Sequence, residues 1–295
     1  MPRSSRLQLA KEQVVSHFAS APQKIYTQID LAAVLGKHRA DWQLAGHTTK
    51  TDFISFLTKH TKLRACEFRS AAYGKQITRY SWGDATVFEL AMAINRRGYF
   101  CHATALTLHR LAELGYKTIY MNVEQSPKES GAGTLTQEGI DRAYAGKQRQ
   151  SNLIYKYGGA SVVMIAGKNT GQLGVERIRG PAFETVPVTN LERTLIDIVV
   201  RPAYAGGPSQ VLAAYRAAKD RMSVERLLTI LRKLDYVYPV HQSIGFVMQK
   251  AGYPEKAYAR LRELGLEYNF YLAHGMKEPR YSEEWRLFYP KRLGA

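Results

Sequence analysis

Cysteine is nearly absent from this chain. Its 295 residues include two, Cys66 and Cys101, each inside an apolar pattern. That usage excludes a disulfide framework and fits reduced, buried thiols in a cytoplasm. Long apolar runs are also missing: none approaches the roughly 18 residues that cross a bilayer, so no membrane partner is expected. Residues 1–6 are basic, but no apolar stretch follows them, and they do not read as a secretory signal. Sequence signatures of chemistry are equally scarce. There is no Walker phosphate loop, no nucleophile elbow and no Cys-x-x-Cys. His102 and His109 lie seven apart on one expected helix, and two ligands do not make a zinc site, so both read as satisfied, partly buried histidines. No cofactor or metal is expected, and the chain reads as a regulator rather than an enzyme.

Acidic residues are few relative to basic ones. The balance is 42 Lys+Arg against 25 Asp+Glu, a formal charge of +17, with a pI near 9.8. Such a surplus attracts polyanions. It is concentrated at the N-terminus: residues 1–83 carry 13 basic side chains against 5 acidic, while the remaining 212 residues carry 29 against 20. The charge density of the first segment is more than twice that of the rest.

Local pattern gives that segment a shape. Ala10, Val14, Val15 and Phe18 predict a helix over residues 7–20, stopped by Pro22. Thr27 with Asp30 forms a capping box before Leu31, Ala32 and Leu35, and Gly36 is expected to end that helix. A third helix opens at Thr48 or Thr49, with Asp52 following. Phe53, Phe56, Leu57 and His60 form its inner stripe; Lys50, Thr51, Ile54, Thr58 and Lys59 face out. Residues 37–47 are too long for a tight turn, and Trp42 and Leu44 suggest an extra short helix there. Strands over residues 63–69 and 77–82 follow, joined by a turn over residues 71–76. Three helices and a basic-tipped hairpin make a winged helix-turn-helix, in which the third helix enters the major groove and the wing grips phosphates. Thr27 and Gln28 are then candidate backbone clamps. Thr48, Thr49, Lys50, Thr51 and Lys59 belong to the reading helix, and Arg69, Tyr73, Lys75 and Arg79 to the wing.

From Asp84 the character changes. Thr86 and Glu89 cap a helix bearing Val87, Phe88, Leu90, Ala91 and Ile94, and another helix spans residues 103–114. Strands are expected over residues 117–123, 161–166, 174–178 and 183–188. Residues 126–151 form a polar excursion with a short helix near residues 138–145. Helices dominate from residue 189 to 264, and short strands over residues 268–273 and 285–289 close the chain. The fold class is α+β: a winged helix-turn-helix over residues 1–84, then a larger mixed domain over residues 85–295 with a helical C-terminal half. Within it, charges crowd the apolar run of residues 189–197. Thr189 and Glu192 read as a capping box, Arg193 and Asp197 as an exposed i,i+4 pair, and Leu191, Leu195, Ile198 and Val199 as the buried face. Gly206-Gly207-Pro208-Ser209 reads as a turn with Ser209 as N-cap of the next helix.

The run Val188-Thr189-Asn190-Leu191-Glu192-Arg193-Thr194-Leu195-Ile196-Asp197, with Pro202, Gly206-Gly207 and a helix bearing Val211, Leu212 and Tyr215, resembles the AbiEi-type antitoxins of abortive-infection, type IV toxin–antitoxin systems. Residues 99–111 resemble the segment after that family's winged helix. The resemblance implies a repressor of its own promoter, bound to double-stranded operator DNA, whose C-terminal domain counteracts a separately encoded nucleotidyltransferase-like toxin. It makes Thr189, Glu192, Arg193, Thr194, Asp197, Gly206 and Gly207 motif residues. The chain departs from the family in its polar excursion and in a tail after about residue 252. Two other readings stand beside this one: a defence- or phage-linked regulator without a toxin, and a nucleic-acid enzyme using Glu192, Asp197 or Asp141.

Overall fold

Threonine hydroxyls set where the early helices begin. In the computed structural model, which describes residues 5–70, 72–113, 115–127, 134–182 and 184–293, Thr27, Thr49 and Thr86 each accept from the backbone three residues on. The acids at those positions, Asp30, Asp52 and Glu89, bond back to the threonine amides. These reciprocal boxes start α3 (Gln28–His38), α4 (Lys50–His60) and α5 (Val87–Ile94). Before them the expected single helix is two, α1 (Arg6–Leu9) and α2 (Lys11–Ser20), because Ser5 caps a short turn of its own. The two-residue β1 (Ile25–Tyr26) follows, too short to leave a period-two pattern. After α4 come β2 (Leu63–Ser70) and β3 (Lys75–Trp82), antiparallel from Leu63↔Trp82 to Ser70↔Lys75, and β1 pairs with β3 antiparallel. One position of the expected wing turn, Ala71, lies outside the described residues.

Three expectations for this region are corrected. The helix of Gly36 runs on to His38, since a single glycine costs only about 1 kcal/mol inside a helix. No extra helix forms over residues 39–47, which are turns. Arg39 holds them, donating through Nη1 to the Ala45 carbonyl at 2.6 Å and through Nη2 to that of Thr48 at 2.8 Å. Trp42 and Leu44 are nevertheless buried, in a core built on Val14, Phe18, Leu31, Phe53 and Leu57. His60, at the last turn of α4, is exposed rather than inward.

The division between units differs from a cut at residue 84. One compact unit comprises residues 1–96 together with 153–161; the other comprises 97–152 and 162–295. The second opens with β4 (Tyr99–Phe100) and α6 (His102–Leu108). That helix is shorter than expected because Arg110 takes a left-handed turn (φ 58) and the Leu111 amide reaches back to the Leu106 carbonyl; Leu114, its expected end, lies outside the described residues. Next are β5 (Thr118–Glu124) and α7 (Gln137–Ala145). The polar excursion is described only over residues 126–127 and 134–151. Then β6 (Ile154–Tyr157) belongs to the first unit, where it extends the sheet to the order β1-β3-β2-β6 with Arg69 opposite Lys156.

Strands β7 (Ala160–Gly167), β8 (Val175–Arg179) and β9 (Thr185–Thr189) give the second unit a sheet ordered β7-β5-β4-β9-β8. It is mixed: β4 runs parallel to β9 and antiparallel to β5. Phe183, expected to begin β9, lies outside the described residues. Helices follow as α8 (Leu191–Val200), α9 (Pro208–Ala218), α10 (Val224–Leu234), α11 (Val240–Lys250) and α12 (Glu255–Arg262). A small sheet ends the chain, β10 (Phe270–Tyr271), β11 (Arg280–Ser282) and β12 (Leu287–Tyr289), with β12 central. The core of this unit gathers Leu195, Ile198, Tyr215, Leu227, Ile244 and Trp285. Gly245 is required there, because a methyl group on it would overlap the Trp285 ring.

Each unit is thus α+β. No helix among the described residues is long and apolar enough to cross a membrane.

Candidate nucleic-acid interface and a buried polar centre

In the first unit, α4 leaves Lys50, Thr51 and Lys59 exposed while Phe53, Phe56 and Leu57 are buried. Thr49 is engaged as N-cap, its hydroxyl 2.7 Å from Asp52 Oδ2. Those bonds hold the Asp52 carboxyl below its ordinary range. Thr27 likewise caps α3, and Gln28 beside it is exposed, its Nε2 donating to the Tyr80 hydroxyl at 3.3 Å. Tyr73 and Lys75 stand exposed at the end of the β2–β3 hairpin, and Arg69 is exposed with Glu67 3.1 Å away.

Two expected contacts do not lie on this surface. Thr48 is buried, its carbonyl occupied by Arg39. Arg79 turns its guanidinium to the carbonyls of Thr78, Ala93 and Ile94, so it anchors the end of α5. Lys156, opposite Arg69, adds a cation that the sequence did not suggest, since β6 is far from β2 along the chain.

In the second unit the charged motif is buried. Every residue of α8 from Glu192 to Val199 is inside, with Arg193 6 % and Asp197 6 % exposed. The exposed i,i+4 pair expected here is therefore corrected to an internal one: Arg193 Nε lies 2.7 Å from Asp197 Oδ1, and Nη1 donates to the Leu173 carbonyl at 2.8 Å. Burial pushes the Asp197 carboxyl up despite the guanidinium beside it. Asn190, not Thr189, caps the helix, accepting from the Arg193 amide. Thr189 instead ties elements together, its carbonyl accepting from His109 Nε2 at 2.7 Å and from the Thr194 hydroxyl at 2.9 Å. Glu192 Oε1 accepts from the Ser223 amide at 2.9 Å, at the start of α10. Gly206 and Gly207 both have φ near +90°, which explains the glycine pair, and Gly207 rather than Ser209 precedes the first turn of α9.

His109 is satisfied as expected. His102 is not: it is buried, its Nδ1 has no hydrogen-bond partner, and its backbone is left-handed at φ 51. Burial, with Arg201 and Arg193 nearby, drives its pKa down to about 3, so the ring is neutral. It lines a cavity of about 110 Å³ together with Asn122, Lys168, Arg193, Asp197 and Arg201. No group of three His, Cys, Asp or Glu side chains suited to a metal occurs among the described residues.

No family model and no curated protein matches the sequence. Among solved structures, the fold is similar to the crystal structure of RV2827C protein from Mycobacterium tuberculosis, with a TM-score of 0.58 at 17 % identity over 97 % of this chain and 92 % of that one. The likeness is one of fold.

Two outcomes follow from the buried centre. Asp197→Ala strands the Arg193 guanidinium and is expected to cost about 3–5 kcal/mol, against the roughly 0.5 kcal/mol of an exposed helical pair. Urea denaturation reads the difference, and a small loss would show that water reaches the pair. For His102, the unfolded ring protonates near pH 6.5 and the folded ring only near 3. The unfolded state therefore binds the extra proton in that window, and stability falls as pH drops from 6.5 towards 3. The slope from this group is on the order of 1 kcal/mol per pH unit. Stability curves of the parent and of His102→Gln should converge across that window; parallel curves would show that the folded ring titrates normally.

Proposed function

We propose that residues 1–96 with 153–161 act as a winged helix-turn-helix that binds double-stranded DNA, and that the protein is a sequence-specific transcriptional repressor rather than an enzyme. The element order carries this reading: α2, β1, α3, α4, then the β2–β3 hairpin, with β1 paired on β3. In that arrangement α4 is the helix for the major groove and the hairpin is the wing. The exposure of Lys50, Thr51 and Lys59 on one and of Tyr73 and Lys75 on the other supports it, as does the basic surplus of residues 1–83. Thr27 and Gln28 at the start of α3 are placed as phosphate clamps in this reading.

The second unit we read as the antitoxin portion, on the resemblance carried by residues 188–215. The partner would be a nucleotidyltransferase-like toxin encoded beside it.

The DNA reading is tested by fluorescence anisotropy of the full chain on duplexes with and without its own promoter sequence. Affinity should fall steeply with salt as counterions are released. The double variant Lys50→Ala, Thr51→Ala should lose about 1–3 kcal/mol of preference for the promoter, whereas Lys75→Ala should weaken all duplexes alike and lower the salt slope by about 1. Binding indifferent to salt, or selectivity lost from the hairpin instead of α4, would defeat the assignment. For the antitoxin portion, co-expression with the adjacent gene is expected to restore growth even when Lys50 and Thr51 are replaced. Rescue that disappears in that variant would leave repression as the whole contribution.

A further inference from the structure

The cavity in the second unit has a composition that its own fold does not use up. Its walls come from β5, β7, α8, the end of α10 and the segments after them, with His102 at the first position of α6. Lys168, Arg193 and Arg201 line it against a single carboxylate, Asp197, leaving a surplus of positive charge. Arg193 spends Nε on Asp197 and Nη1 on the Leu173 carbonyl, which leaves Nη2. Lys168 donates to the carbonyls of Leu234 and Asp235, both at 2.9 Å, and retains one proton. Arg201 lies against the Tyr204 ring, its guanidinium carbon 6.0 Å from the centroid, and among the described residues no carboxylate lies within ion-pair distance of it. The neutral His102 adds an unpartnered Nδ1 that is buried.

Each of these features is costly by itself. A buried polar nitrogen without a partner forfeits a hydrogen bond that water would have supplied, and a left-handed backbone at a residue other than glycine adds strain. Neither the Arg193–Asp197 pair nor the caps require His102 to stand there. What the four groups share is place: three cations and the His102 ring line one space with one carboxylate among them, and a neutral imidazole protonated at Nδ1 is a further donor. That set complements an anion rich in oxygen. Size narrows the class further. About 110 Å³ holds several waters, each needing roughly 15 Å³ of such space, but falls short of the roughly 300 Å³ of a site for a drug-sized ligand. The occupant is a small anion, or the anionic end of a larger molecule whose remainder stays outside, where Lys168 is exposed and Arg201 is half-buried.

We propose that this cavity binds a phosphate group, with Arg201 as its principal cation and Arg193 Nη2, Lys168 and His102 Nδ1 as the remaining donors. The site is independent of the DNA reading, since all its residues belong to the second unit.

The test uses the full chain, with inorganic phosphate as probe against chloride at matched ionic strength, read by calorimetry and by thermal unfolding. Phosphate should give a saturable heat and raise the melting temperature. Arg201→Gln should weaken phosphate at least tenfold while melting like the parent without it, and Arg201→Lys should recover part of the affinity. Lys233→Gln, an exposed site outside the cavity, should bind phosphate as the parent does. A nucleoside triphosphate run in parallel identifies the source: tighter binding than inorganic phosphate marks the phosphate end of a larger ligand, and equal binding marks free phosphate. If Arg201→Gln proves unstable, His102→Gln must show the loss instead. Phosphate that gives no saturable heat, or that binds the Arg201 variants and the Lys233 variant alike, would overturn the proposal.

Discussion

The second unit is organised around a guanidinium and a carboxylate that have been taken out of water. Removing both from solvent costs several kcal/mol per ion, and their mutual attraction offsets this only when geometry is tight and the remaining donors find partners. Arg193 meets those conditions. Its bond to Asp197 is a short one along a single turn of α8, and a second donor reaches the Leu173 carbonyl. The neighbouring motif residues extend the same logic. Glu192 accepts from the Ser223 amide at the start of α10, and the Thr189 carbonyl is shared by His109 and Thr194. Four segments of the chain therefore meet on one buried helix through polar bonds of fixed direction. Apolar packing around them, from Leu195, Ile196 and Ile198, supplies area but no register. A helix held only by that area could rotate or slide; one held by these bonds cannot without exposing an unpaired charge.

The first unit solves a similar problem with different means. Its helices are short and their inner faces small, so the ends matter more. Each of α3, α4 and α5 is started by a threonine and an acid that satisfy each other's backbone partners, worth about 1 kcal/mol per cap. Arg39 then fixes the loop before α4 through three carbonyls, which sets where α4 begins. A consequence is that the exposed side chains of α4 stand on a defined axis. Such a footing is what a recognition surface requires, because side chains on a wandering helix would lose their contacts to conformational entropy.

What could be read in advance follows from the range of the interactions. Capping boxes at Thr27, Thr49 and Thr86 act over three residues, and the pattern of the chain shows them. The apolar stripe of α4 and the β2–β3 hairpin are local as well. The strand β1 was not legible, being two residues long and formed by pairing with β3 across the unit. Nor was β6, whose place beside β2 depends on the chain returning after a long absence. The charged motif failed for a further reason. Arg193 and Asp197 at i,i+4 look alike on a solvated helix and on a buried one, and only the all-round burial of α8 separates the two. Arg79 misled in the same way: its charge suggested phosphate, while its position near α5 gave it carbonyls to hold. The cavity residues lie on five elements and the segments after them, and share no spacing at all.

Both proposed sites address phosphate oxygens, and the physics of the two differs in a way that separates their behaviour. On α4 and the hairpin, Lys50, Lys59 and Lys75 are exposed. Their attraction to a polyanion is screened over about 8–10 Å in ordinary salt and is driven by released counterions. Such contacts are weak singly, additive along a duplex and tolerant of small displacements. In the cavity, Arg193 is already fixed by two bonds and His102 by its backbone, so little order is lost when an anion arrives. Burial of Arg193 and His102 strengthens the bonds they can make there. One arrangement favours long, repeated, exchangeable contact; the other favours a single small group held in one orientation. A chain with a surplus of +17 could place its cations anywhere on its surface. Arg193 lies inside, where Asp197 and the Leu173 carbonyl offset its burial, while Nδ1 of the nearby His102 has no partner within the chain, and that is the bond the proposed anion would supply.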